Sequence, residues 1–185
     1  MSGMSGISPG GTDLSGTDLS GTDLSGTGQP RGAAAKLPEG YNDTGEETPL
    51  DWAPVNERLE QSRHFWFSTA DGGGRPHARP IWGAWIDNTL YADGGIQVTR
   101  WGRDLLANPH TQVHLESATE VVIVDGVFST DNDLTPEAFD RVRASYQRRY
   151  ESYQPESADG LFMVKPQHVL AWTNFPRDVT RFDFS

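Results

Sequence analysis

The chain has 185 residues, no cysteine and a formal net charge of −11, from 26 acidic and 15 basic side chains. The charge excludes the basic footprint of a nucleic-acid binder. The missing cysteine removes disulfide and thiolate chemistry and suits a cytoplasmic protein.

Residues 1–48 read as a disordered leader rich in Gly, Ser, Thr and Asp. Ser-Gly-Thr-Asp-Leu recurs with a period of five and sets Leu14, Leu19 and Leu24 in register. Three such short units cannot stack into a buried core, so a tail fits better than a repeat fold. Met1-Ser2-Gly3-Met4-Ser5-Gly6 has neither the basic start nor the apolar run of a secretory signal. The longest aliphatic run, Val121-Val122-Ile123-Val124, is too short to cross a bilayer, so no membrane partner is expected. All six tryptophans lie beyond residue 50, which puts the packed domain at 49–185.

In chain order, residues 54–60 suggest a short helix and 64–70 an aromatic strand stopped by Asp71-Gly72-Gly73-Gly74. A strand over 77–87 is answered by Leu90-Tyr91-Ala92 after the turn Asp87-Asn88. A helix follows at 100–107, then strands at 112–116 and 121–128. Thr135 and Pro136 are a plausible N-cap and first helical residue for the longest helix. Along it Phe139, Val142, Tyr146, Tyr150 and Tyr153 make one aromatic face, read as packing rather than a cofactor box. Strands at 161–164, 169–175 and 179–184 close the chain, the last two as a hairpin around Pro176-Arg177-Asp178. Short strands in this number with two or three helices predict a mainly β, antiparallel barrel with peripheral helices.

The chemistry concentrates in two segments. In the first, Gly74-Arg75-Pro76-His77-Ala78-Arg79-Pro80-Ile81-Trp82, Arg79 sits mid-strand among apolar neighbours and calls for a partner. Pro80 cannot donate to a ladder, which makes this strand an edge or a bulge. In the second, Thr99 stands at an N-cap, and the position that would carry the acid of a capping box is Gly102. The first-turn Arg100 and Arg103 have the wrong sign for the helix dipole unless an anion sits there. A phosphate would satisfy amides, dipole and guanidinium groups together; solvated surface arginines are the other reading.

Together with Leu90-Tyr91, Asn108-Pro109, Val121–Gly126, Trp172 and Arg181-Phe182, these segments resemble the pyridoxamine 5′-phosphate oxidase-like family, the FMN-binding split β-barrels. The resemblance runs from about Trp52 to the end of the chain. It implies a homodimer with the cofactor between protomers. Arg79, Pro80, Ile81 and Trp82 would contact its ring and ribityl chain, with Tyr91 in the same set. Thr99, Arg100 and Trp101 would surround its phosphate. Glu120, Trp172 and Arg181 would come from the second protomer.

The chain departs from a true pyridoxamine phosphate oxidase at three places. Trp101 replaces a second basic residue, Ala84 replaces a lysine, and a histidine expected near Val179 is absent. The expectation is therefore an oxidoreductase dependent on FMN or on an 8-hydroxy-5-deazaflavin coenzyme, moving hydride to or from a small organic substrate. In such an enzyme the cofactor carries the hydride, so no catalytic side chain is singled out. The alternative is a non-catalytic flavin- or haem-binding module in the same barrel. The five histidines show no metal-ligand spacing, so no metal is expected. Glu116 and Glu120 read as solvated turn residues.

Overall fold

Phe65 and Phe67 point into the core from β2 (Phe65–Ala70) while Trp66 and Ser68 point away, the two-residue period of a strand with one face covered. The computed structural model describes residues 28–41, 45–132 and 134–184. Among these it has nine strands and three α-helices. The Ser-Gly-Thr-Asp-Leu repeats lie outside the described residues. The other strands are β1 (Arg31–Ala34), β3 (Pro76–Ile81), β4 (Gly83–Ile86), β5 (Thr89–Asp93), β6 (His110–His114), β7 (Val121–Ser129), β8 (Leu161–Trp172) and β9 (Thr180–Asp183). The helices are α1 (Trp52–Gln61), α2 (Arg100–Ala107) and α3 (Pro136–Arg149).

All pairings are antiparallel. From one edge the sheet runs β3-β2-β6-β7-β8. The first half of β8 continues to β5 and β4, and its second half to β9 and β1. β3 and β4 are consecutive in the chain, joined at Trp82, yet they do not pair. The sheet is therefore not closed, and its two ends meet only through that residue. This is the expected mainly β split-barrel architecture with three helices outside it.

Local chemistry accounts for the turns. Asp87 and Asn88 both have positive φ, at 49° and 58°, as a two-residue hairpin requires. At the tip after β2, Asp71 Oδ1 accepts from the amides of Gly73 and Arg75, and Gly74 has φ of 77°. Asp178 ties the β8–β9 connection together. Its carboxylate accepts from the Thr173 amide (3.0 Å), the Thr173 hydroxyl (2.6 Å) and the Asn174 amide (2.8 Å). The main core gathers Phe65, Phe67, Trp85, Leu105, Val113, Phe162 and Phe182 inside the sheet. A second cluster, with Val142, Tyr146 and Tyr150, seats α3 on Ala84 and Leu161.

Three elements differ from the sequence reading. The strand expected over 77–87 is two strands broken at Trp82. The strands expected at 161–164 and 169–175 are one, β8, running through Pro166. The β7–β8 register shifts between Asp125 and Gly126, which leaves Gln167 as the extra residue of a bulge in β8 beside that proline. Gly126 is obligatory there, since a Cβ would lie 2.6 Å from the Lys165 carbonyl oxygen. Finally, β1 falls within the stretch set apart as leader and pairs with β9.

Candidate functional site

Pro80 places β3 at the sheet edge, as expected of a residue with no amide to give. Arg79 lies opposite Phe67 and Ile81 opposite Phe65, so both face the inner side of the sheet. Ile81 is buried, whereas Arg79, Pro80 and Trp82 are exposed, because no strand covers β3 on its far side. Among the described residues, Arg79 makes no ion pair and no side-chain hydrogen bond. Its cationic head is held at the open edge without a counter-charge.

The other flank of the β3–β4 junction is saturated. Trp82 is 42% exposed, and its indole stacks on Tyr150 at 4.5 Å, with the planes 12° apart. Tyr146 donates its hydroxyl hydrogen to the Trp82 carbonyl and accepts from the Asp93 amide, both at 3.1 Å. The Tyr150 hydroxyl accepts from the Gly83 amide at 3.1 Å and donates to the Arg63 carbonyl at 2.5 Å. Tyr153 donates to the Asp93 carboxylate. Burial pushes the phenols of Tyr146 and Tyr150 above the ordinary range. Burial and the Asp93 carboxylate push Tyr153 up to about 12. All three stay protonated near neutrality and serve as hydrogen-bonding groups. Of the aromatic face read as packing, Val142, Tyr146 and Tyr150 are buried, Phe139 is half-buried, and Tyr153 is exposed past the end of α3.

The entrance of α2 is built as expected in one respect and not in another. Thr99 is the N-cap, and its hydroxyl accepts from the Gly102 amide at 3.2 Å. That amide, expected to be open, is thus taken by the cap itself. Gly102 is needed because a Cβ would lie 1.9 Å from the Ile96 carbonyl oxygen. Arg100 and Arg103, read as awaiting an outside anion, have partners within the chain. Arg100 pairs with Asp71 at 3.2 Å and approaches Asp104 at 3.9 Å, and Arg103 donates to the Val98 carbonyl at 3.1 Å. Asp71 is held below the usual carboxylate range, chiefly by the Arg75 amide, with smaller contributions from the Gly73 amide and Arg100. Asp104 is buried and accepts from the Thr69 hydroxyl.

The remaining expected residues are dispersed. Trp101 is half-buried against Phe67 and Phe162, at 6.4 and 5.6 Å between ring centroids, so its indole fills the core. Tyr91 is half-buried with Ile86 and Phe139 against the α3 cluster. Trp172 sits opposite Val121, next to Glu120, and Arg181 opposite Leu170. β7, β6 and β2 lie between β8, which carries Trp172, and β3, which carries Arg79. One chain therefore forms two separated groups: Arg79–Trp82 with Thr99–Arg100, and Glu120 with Trp172 and Arg181. Sequence reasoning missed Asp71 and Asp104 as partners of Arg100. The i,i+4 spacing of Arg100 and Asp104 was the available signal. No cluster of His, Asp or Glu able to hold a metal occurs among the described residues. Among them, no helix is long and apolar enough to cross a membrane.

Residues 53–173 match the sequence profile described as pyridoxamine 5′-phosphate oxidase. The chain belongs to that family. Solved structures of the family fold superpose on it at low identity. A candidate pyridoxamine 5′-phosphate oxidase from Listeria innocua has a TM-score of 0.51 and 19% identity, covering 65% of this chain and 97% of its own. A heme binding protein from Mycobacterium smegmatis gives 0.53 and 16%, covering 70% of this chain and 57% of its own. A candidate 5-nitroimidazole antibiotic resistance protein from Bacteroides thetaiotaomicron gives 0.52 and 14%, covering 73% and 86%. Among curated proteins no match was found. These structures share the fold of the oxidase-family domain; their differing descriptions show that the fold serves more than one task.

Proposed function

We propose that this oxidase-family protein is an oxidoreductase that holds FMN, or a deazaflavin coenzyme, along β3 and moves hydride to or from a small organic substrate. The observation that carries the reading is Arg79, a cation without a partner among the described residues, beside Pro80 and Trp82 on an open sheet edge. These residues fit a planar cofactor bearing anionic groups. The strand edge offers main-chain polar groups to a ring, and Arg79 offers charge-assisted hydrogen bonds. Thr99 and Arg100 stand next along the chain for the phosphate, and Arg100 must exchange its Asp71 contact to reach it. When bound, the cofactor supplies the hydride-carrying ring, and the protein supplies position and electrostatics.

A second copy of the chain completes the proposed site. Three strands separate β8, with Trp172, from β3, with Arg79, and Glu120 and Arg181 lie beside Trp172, so these three would act on the partner's cofactor. The departures at Ala84 and Trp101 argue against pyridoxine phosphate as the substrate. The test is titration of the purified protein with FMN and with the deazaflavin coenzyme, followed by reduction with NAD(P)H or reduced deazaflavin and an acceptor. Saturable binding with turnover supports the reading. Binding of flavin or haem without turnover makes the protein a carrier instead. Failure to bind either coenzyme overturns the assignment.

A further inference from the structure

A groove of about 620 Å³ runs between α1 and α3, over β4. It is separate from the Arg79 edge. Its α3 wall is one helix face, since residues 141, 144, 145, 148 and 149 recur at spacings of three and four. Three of these are arginines, in a chain whose net charge is −11. Arg141 is already neutralised, pairing with Asp87 through both carboxylate oxygens. Arg148 and Arg149 make no ion pair among the described residues.

Arg149 is half-buried and fixed in place. Its Nη1 donates to the buried Ser145 hydroxyl at 2.5 Å and reaches the Gly83 carbonyl at 3.5 Å. Burial holds it below the ordinary guanidinium range. The hydrogen bonds of this partly desolvated cation go to neutral groups, and such a position favours a paired counter-charge. Two carboxylates stand on the facing helix: Glu57 accepts from Gln61 at 2.8 Å, and Glu60, which lines the groove, accepts from Asn56 at 2.7 Å and attracts Arg149 without forming an ion pair. Among the described residues, two guanidinium groups thus share a roomy groove in which no carboxylate makes an ion pair with either.

We propose that this groove binds a small phosphate-bearing ligand, gripped by Arg148 and Arg149. Guanidinium forks match the oxygens of a phosphate, and a dianion balances two of them. Ser145 holds Arg149 pre-oriented, which lowers the ordering cost of binding. The site goes beyond the cofactor reading and does not depend on it.

The test is calorimetric titration of the full chain with inorganic phosphate and, separately, with glycerol 3-phosphate. Saturable binding is expected, weakened about tenfold or more by the double substitution Arg148→Gln/Arg149→Gln, the scale of losing charge-assisted contacts. Arg79→Gln leaves it unchanged, which separates this groove from the proposed cofactor site. Should the double variant fail to fold, Arg148→Gln alone, on an exposed side chain, weakens binding several-fold. Tighter binding of the ester marks an organic phosphate as the ligand, and equal binding marks the free ion; either supports the site. No saturable binding by the wild type, binding unaltered in the folded variants, or binding lost with Arg79→Gln overturns it.

Discussion

The two flanks of Trp82 are made of similar sequence material and do opposite things. On the α3 side, Tyr146 and Tyr150 satisfy the carbonyl of Trp82 and the amides of Gly83 and Asp93. On the β3 side, Arg79 ends in open space at an edge strand, with no internal partner among the described residues. A saturated flank holds the fold, and an unsaturated one is available to something else. Both kinds of residue are large and could pass for ligand-binding groups in the sequence; the hydrogen-bond partners tell them apart.

The sharpest way to break this contrast is Tyr146→Ala. It removes a fully buried ring and strands the Asp93 amide, so it should cost about 3–5 kcal/mol in urea unfolding. A loss under about 1 kcal/mol would mean the α3 flank is not structural. Arg79→Ala should do the reverse. Stability should stay within about 0.5 kcal/mol, while FMN affinity falls by about 1.5–3 kcal/mol in a fluorescence titration. Equal affinity in the variant would remove Arg79 from the proposed site.

Asp178 extends the comparison to the far hairpin. Burial acts to raise its carboxyl, but the Thr173 and Asn174 donors prevail and hold it below the usual range. A group with a depressed folded pKa adds stability above its unfolded value, about 4, and loses it as the pH falls through the folded pKa. Asp178→Asn should therefore cost about 1–2 kcal/mol at neutral pH and flatten the acid limb of a stability–pH curve. An unchanged acid limb would contradict the assignment. The smallest effect is expected from Asp71→Asn. Releasing Arg100 from an exposed, solvent-screened ion pair should tighten FMN binding only slightly. Weaker binding instead would show that Asp71 orients Arg100 rather than competing for it.

What the sequence disclosed were features with local causes. Thr99 and Thr135 as caps, Pro80 at an edge, the turn at Asp87-Asn88 and the tyrosine face at helical spacing all follow from residues within a few positions of one another. The hidden features depend on distant partners. Arg100 meets Asp71 across 29 positions, and Tyr146 reaches Trp82 across 64. Pro166 sits in β8 beside a bulge at Gln167 and opposite Gly126 of another strand. β1 carries no alternating apolar pattern in Arg31-Gly32-Ala33-Ala34 and becomes a strand only by pairing with β9. For the candidate site, the β3 segment was legible as a place of exposed charge, whereas the inward turn of Trp101 was not.

The bulge at Gln167, opposite Gly126, has a reach beyond its own ladder. It bends the long β8, whose two halves carry different neighbours, β5 with β4 on one and β9 with β1 on the other. The two walls part close to where the bare α-carbon of Gly126 meets the Lys165 carbonyl. A methyl group at that position would press on the backbone that both walls share, while leaving every residue of β3 chemically intact.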